Sequence, residues 1–191
     1  MKVIVYPIEK WFCYYVIDEL LKEGYEVYAY SGVKEKDASD QINHQVEQLQ
    51  LAFGRNAQFH LEEEVKEVAP INHGIFIENL MESDVSRGIY LTNQSSEMND
   101  ERIKIISTEY IEISDDAFIQ RVVQPNASSK ETKKEWLSND GNGDKIDHDT
   151  KIKISAKKLA RWMIVHGMKD MIPQQTYLHG TDQSKSIYFL S

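Results

Sequence analysis

The tightest constraint on this chain comes from residues 1–30. Val3 to Tyr6 is a short apolar run of the kind that forms a buried strand. Cys13, Val16, Ile17, Leu20 and Leu21 then recur at helical spacing and define one apolar face. Asp18, Glu19, Lys22 and Glu23 take the opposite face. Gly24 stands where a left-handed C-cap is expected, and Glu26 to Tyr30 reads as a second strand. A strand, one helix and a strand joined by short links leave a parallel crossover as the natural solution, and such crossovers are right-handed.

The pattern continues downstream. Ile42, Val46, Leu49 and Phe53 mark a second helix closed by Gly54. Further strands are expected at Gln58–Leu61, Gly74–Ile77, Gly88–Thr92 and Ile103–Ile106, the last running on towards Ile113. Glu62–Val68 suits a turn or two of helix, and Asp115–Val123 reads as helix. Residues 124–150 are rich in Pro, Asn, Ser and Gly and read as loop with a short helix near Trp136. Lys151–Ile154 alternates like a strand, and Ser155 caps a helix over Ala156–His166 that Gly167 ends. Tyr177–Leu178 and Ile187–Leu190 are candidate closing strands. Strands alternating with helices imply an α/β fold with a mostly parallel sheet.

Composition excludes several classes. The chain has 191 residues, 41% of them hydrophobic and 28% charged, which suits one globular domain with a full core. A net charge of −9 argues against nucleic acid and against anionic membrane surfaces as partners. Cys13 is the only cysteine, as expected for a reducing cytoplasm. No signal peptide is evident, and no run approaches the roughly 20 apolar residues of a membrane span.

The stretch VIVYPIEKWFCYYVIDELLKEGYEVYAYS resembles the first crossover unit of the extended and atypical short-chain dehydrogenase/reductases, the family of nucleotide-sugar epimerases. HGIFIEN resembles the family's fourth strand, and RGIYLTNQSS its fifth strand with trailing serines. GNGDKIDHDTKIKISAKKLARWMI resembles the late hairpin and following helix, and QTYLHGTD a strand near the end. The resemblance covers most of the chain. It implies a Rossmann-like, doubly wound, mostly parallel sheet in a single compact domain over 1–191, with 124–150 as a loop-rich insertion.

The family's chemistry rests on two motifs, and both are altered. Its first is a glycine loop after strand one, where slim residues let the backbone approach a pyrophosphate at the helix N-terminus. Here the loop reads Tyr6, Pro7, Ile8, Glu9, Lys10, Trp11, Phe12, Cys13, with Pro7, Lys10 and Cys13 at the glycine positions. Pro7 also lacks an N–H. The second motif is a Ser/Thr with a YxxxK pair after strand five. Ser95 and Ser96 follow that strand, but the one YxxxK, Tyr30 to Lys34, follows strand two and reads as chance. Glu78, Asn79 and Leu80 replace the small residues that normally follow strand four. The resemblance therefore implies a cofactor crevice filled by the protein itself, with no catalytic residues and no bound cofactor. The alternative is an atypical NAD- or NADP-dependent reductase with a non-standard loop. A third possibility is another small ligand at the same crevice.

Other constellations have plain explanations. Asp140, Asn142 and Asp144 alternate like a calcium loop, but Lys145 and Lys151 occupy its glycine and glutamate positions, and a polar turn accounts for them. The histidines lack metal-ligand spacing, so no metal is expected. Cys13 near a helix N-terminus suits a reactive thiolate, but its place on the apolar face suits a buried, inert thiol better. Trp11, Phe12, Tyr14 and Tyr15 suit either a ligand platform or the filling of a vacated crevice. Trp11 and Phe12 are expected to pack over the strand ends around Tyr6 and Ile77. The short links Asn79–Arg87 and the one after strand five are expected to uncover apolar sheet surface. Its cover is expected either from Asp115–Val123, with Phe118, Ile119, Val122 and Val123, or from a second copy (a homodimer) or another protein partner, self-association being favoured.

Overall fold

The computed structural model describes residues 1–33, 39–62, 73–80, 85–93, 100–108, 111–114, 152–169, 171–172, 174–180 and 187–190. Ten strands are placed: β1 Lys2–Tyr6, β2 Glu26–Tyr30, β3 Phe59–Glu62, β4 His73–Ile77, β5 Arg87–Thr92, β6 Ile103–Ser107, β7 Ile111–Ser114, β8 Ile152–Ser155, β9 Gln175–Gly180 and β10 Ile187–Leu190. The helices are α1 Cys13–Lys22, α2 Asp40–Phe53 and α3 Ala156–Trp162, the last prolonged by a π-turn over Met163–Gly167.

The main sheet has the order β10-β9-β6-β5-β4-β1-β2-β3. All its pairings are parallel except β9 with β10. From β1 the chain steps outward to β2 and β3, then returns to β4 on the other side of β1. That reversal makes the fold Rossmann-like and doubly wound, and it opens a crevice at the carboxyl ends of β1 and β4.

Alternation along the strands sorts the core into two layers. Val3, Val5, Val27, Ala29, Ile75, Ile77, Ile89 and Leu91 face the helices and join one cluster with Val16, Leu20, Leu49, Leu159 and Met163. Cys13, Val16, Ile17 and Leu20 of the sequence stripe of α1 are buried against the sheet and α3, Leu21 is only partly buried, and Glu19, expected on the opposite face, is buried as well. Gly24, at φ +79°, reverses the chain after α1 as expected.

Ile4, Tyr28, Tyr30, Phe76, Val85 and Ile103 form the second layer, on the opposite face. No helix among the described residues lies on it. Two paired glycines let one ring pack flat against it. Gly74 and Gly88 are register partners on β4 and β5, and the Phe76 ring lies across both. A Cβ on Gly74 would stand 2.5 Å from that ring, and one on Gly88 would stand 3.1 Å from it. Phe76 is 1% exposed, and Ile4, Val85 and Ile103 are also buried. These positions are therefore buried within the single chain, whereas Leu80, after β4, is 45% exposed. Leu91 is on the helical face and fully buried, so it marks no uncovered side.

Three local expectations need correction. Strand β6 ends at Ser107 and does not run on to Ile113. Thr108 adds a last parallel-ladder bond, donating its N–H to the Thr92 carbonyl at 2.9 Å, and β7 pairs instead with β8 in a separate two-stranded parallel sheet. The last helix changes to a π-turn at Met163. Ser155 occupies its N-cap position without a side-chain cap bond, whereas Ser39 caps α2 by accepting from the Ile42 N–H. The expected helix at Asp115–Val123, the turn at Glu62–Val68 beyond Glu62, the loop 124–150 and the calcium-like stretch lie outside the described residues. No described helix is long and apolar enough to cross a membrane.

Candidate functional site

The crevice between β1 and β4 is built by the β1–α1 loop, the turn after β2 and the residue after β4. In a phosphate-binding fold of this kind, the first N–H groups of α1 are left without helical partners and point at the anion. Here they are already engaged. The N–H groups of Cys13, Tyr14 and Tyr15 donate to the carbonyls of Lys10, Trp11 and Phe12 at 2.8, 3.3 and 3.1 Å. Earlier in the loop, Ile8 donates to Tyr30 and Lys10 to Pro7, at 3.1 and 3.4 Å. Pro7 has no N–H to offer. The loop is thus a run of tight turns, tied to β2 at Ile8 and running straight into α1.

Side chains fill the space that glycines would leave open. Ile8 is 1% exposed, Phe12 0% and Trp11 9%. Trp11 meets Phe12 and Tyr15 edge-on, at centroid separations of 6.0 and 6.1 Å. These rings join the cluster that contains Ile77, as expected, whereas Tyr6 belongs to the opposite face. Strand alternation is the reason: Tyr6 points away from the side on which the loop folds. The aromatic group is therefore core filling, and Tyr14 alone of the four is only partly buried. At the β2 end, Gly32 packs so closely on Pro7 that a Cβ there would lie 2.9 Å from the Pro7 ring.

Charge at the mouth is the wrong sign for a pyrophosphate. Lys10 and Glu78 form an ion pair across the crevice, from the β1 loop to the residue after β4. The Glu9 carboxylate accepts from the Val33 N–H at 3.1 Å and from the Ser31 hydroxyl, tying the β1 and β2 loops together. Its second oxygen is buried without a partner among the described residues. Two carboxylates thus stand beside one ammonium. Glu78 also adopts φ +63°, a left-handed conformation rare for a side-chain-bearing residue. It is held there by its N–H to the Leu91 carbonyl at 2.8 Å and by the Tyr90 hydroxyl on its own carbonyl at 3.0 Å. Nothing in the sequence signals this strained position.

Cys13 is fully buried, and its thiol donates to the Pro7 carbonyl at 3.0 Å. Burial, reinforced by the Glu9 charge, pushes the thiol well above its ordinary pKa. The inert reading of Cys13 is the one this geometry supports. Tyr30 is buried on the opposite face, while Lys34, Ser95 and Ser96 lie outside the described residues. Among the described residues no group of three His, Cys, Asp or Glu could hold a metal ion.

No family model matches the chain, and no curated protein matches it. Among solved structures the chain is similar to yeast methylglyoxal/isovaleraldehyde reductase Gre2 complexed with NADPH, with 16% identity and a TM-score of 0.34. The match covers 94% of this chain and 56% of that one, so the chain spans a little over half the length of that reductase.

Proposed function

We propose that this chain is a degenerate relative of the epimerase-like dehydrogenases that no longer binds a dinucleotide and acts in the cytoplasm as a non-catalytic binding or regulatory protein. The observation that carries this reading is the β1–α1 loop, whose helix-terminal N–H groups are spent on its own carbonyls. The buried Trp11 and Phe12 and the two carboxylates at the mouth support it. A second copy of the chain, or another protein, is the proposed partner class.

The test is a calorimetric titration with NADPH and NADH, alongside thermal unfolding with each. The expected result is no saturable heat and no rise in midpoint. A ligand held at a hundred times its dissociation constant would stabilise the fold by about 2.7 kcal/mol, which such a scan would register. Low-micromolar binding of either cofactor would overturn the proposal and favour an atypical reductase.

A further inference from the structure

A second site lies at the opposite end of the sheet. His73, Arg87 and Lys104 stand at or near the starts of β4, β5 and β6, and Arg102 immediately precedes β6. All four line one cavity of about 320 Å³. That volume falls in the range of small-molecule pockets, about 300–1,000 Å³. Its deeper wall is apolar: Ile89 and Met168 are 1% and 7% exposed.

We propose that this cavity binds a small molecule carrying a phosphate group. The whole chain has 22 basic and 31 acidic residues, yet among the described residues this cavity is lined by three permanent cations, a histidine and one carboxylate, Glu101, with Asp100 paired to Arg102 beside it. Arg87 carries a guanidinium fork of the kind that matches the oxygens of a tetrahedral anion, while Arg102 adds charge with its fork on Asp100 and its Nη1 donating to the Val85 carbonyl at 3.5 Å. The rim is also held in place. Arg102 directs Nε and Nη2 onto Asp100 at 3.0 and 2.9 Å, and Lys104 donates to the Ile172 carbonyl. Asp100 offsets part of the Arg102 charge while fixing its plane.

A second feature points to the same place. The π-turn that prolongs α3 ends at Gly167, which forms part of the cavity wall. Such turns are frequent at functional sites. Gly167 packs so closely that a Cβ would lie 2.5 Å from Ile89 Cδ1, so the turn brings bare backbone up to the cavity. A free phosphate ion would leave most of the volume and the apolar wall unused, whereas a phosphorylated organic group would fill both. This site does not depend on the state of the β1–α1 crevice.

The test is a nuclear magnetic resonance titration of the labelled protein with phenyl phosphate and, separately, inorganic phosphate at constant ionic strength. Saturable amide shifts centred on Gly88, Arg102 and Gly167, with phenyl phosphate the tighter probe, are expected. Arg87→Gln, at an exposed position that should not disturb folding, is expected to weaken binding about tenfold. Equal affinity for the two probes would support the anion site and assign it to free phosphate. Shifts that fail to saturate with either probe, or that are unchanged in both Arg87→Gln and Lys104→Met, would overturn the proposal.

Discussion

Replacing Trp11 tests the reading of the crevice most directly. The indole is 9% exposed and wedged edge-on between Phe12 and Tyr15. Truncating a buried Trp to Ala costs about 3–5 kcal/mol through lost transfer energy and the cavity left behind. For a domain of this size each kcal/mol lowers the midpoint by roughly 2–4 °C, so Trp11→Ala should lose about 10 °C. Trp11→Phe should behave differently. The Trp11 Nε1–H is buried without a hydrogen-bond partner among the described residues. A stranded donor costs about 1–3 kcal/mol, and phenylalanine removes it while keeping most of the ring. That relief offsets the smaller ring's lost contacts, leaving Trp11→Phe within about 1 kcal/mol of the parent. Urea unfolding of the parent and both variants supplies the numbers. If Trp11→Phe proves as damaging as Trp11→Ala, the indole N–H is bonded and the argument is refuted. If Trp11→Ala is harmless, the ring is not holding the crevice closed.

Other positions give sharp expectations. At Glu78, alanine and glycine both remove the ion pair, itself worth only about 0.2–1 kcal/mol at this exposure, but only glycine relieves the left-handed backbone. Glu78→Gly should therefore be more stable than Glu78→Ala by about 1 kcal/mol in urea unfolding, and equality would show that φ +63° stores no strain. Gly88→Ala puts a Cβ 2.5 Å from Ile103 Cδ1 and 3.1 Å from the Phe76 ring, and should cost about 1–3 kcal/mol, an effect absent if the opposite face is loosely packed. Burial, with the hydrogen bond to Glu26, pushes the Tyr28 phenol up to about 12. Because the folded pKa is raised, the stability it contributes is complete below about pH 10 and is lost as pH rises towards 12. The parent should therefore lose stability more steeply than Tyr28→Phe across that window, and parallel pH profiles would contradict it.

Local chemistry made much of this fold legible in the sequence. The i, i+3, i+4, i+7 stripe of α1 and the runs Val3–Tyr6 and Glu26–Tyr30 are nearest-neighbour signals, and they appear as the elements they announce. The loss of slim residues at Pro7, Lys10 and Cys13 was equally visible, because it is a matter of residue size at counted positions. What the sequence could not show depended on contacts between distant segments. The break between β6 and β7 shows only in the pairing: β6 lies between β5 and β9, whereas β7 pairs with β8 in a separate sheet. The seat of the Phe76 ring follows from Gly74 and Gly88 meeting across two strands beneath it. Glu78 reads as an ordinary acidic residue until the Lys10 ammonium is brought opposite it and Tyr90 pins its carbonyl. Arg87, Arg102 and Lys104 are scattered charges along the chain, and they converge only because parallel strands place their starts on one edge. Periodicity reports which way a side chain points, and strand order decides what it meets there.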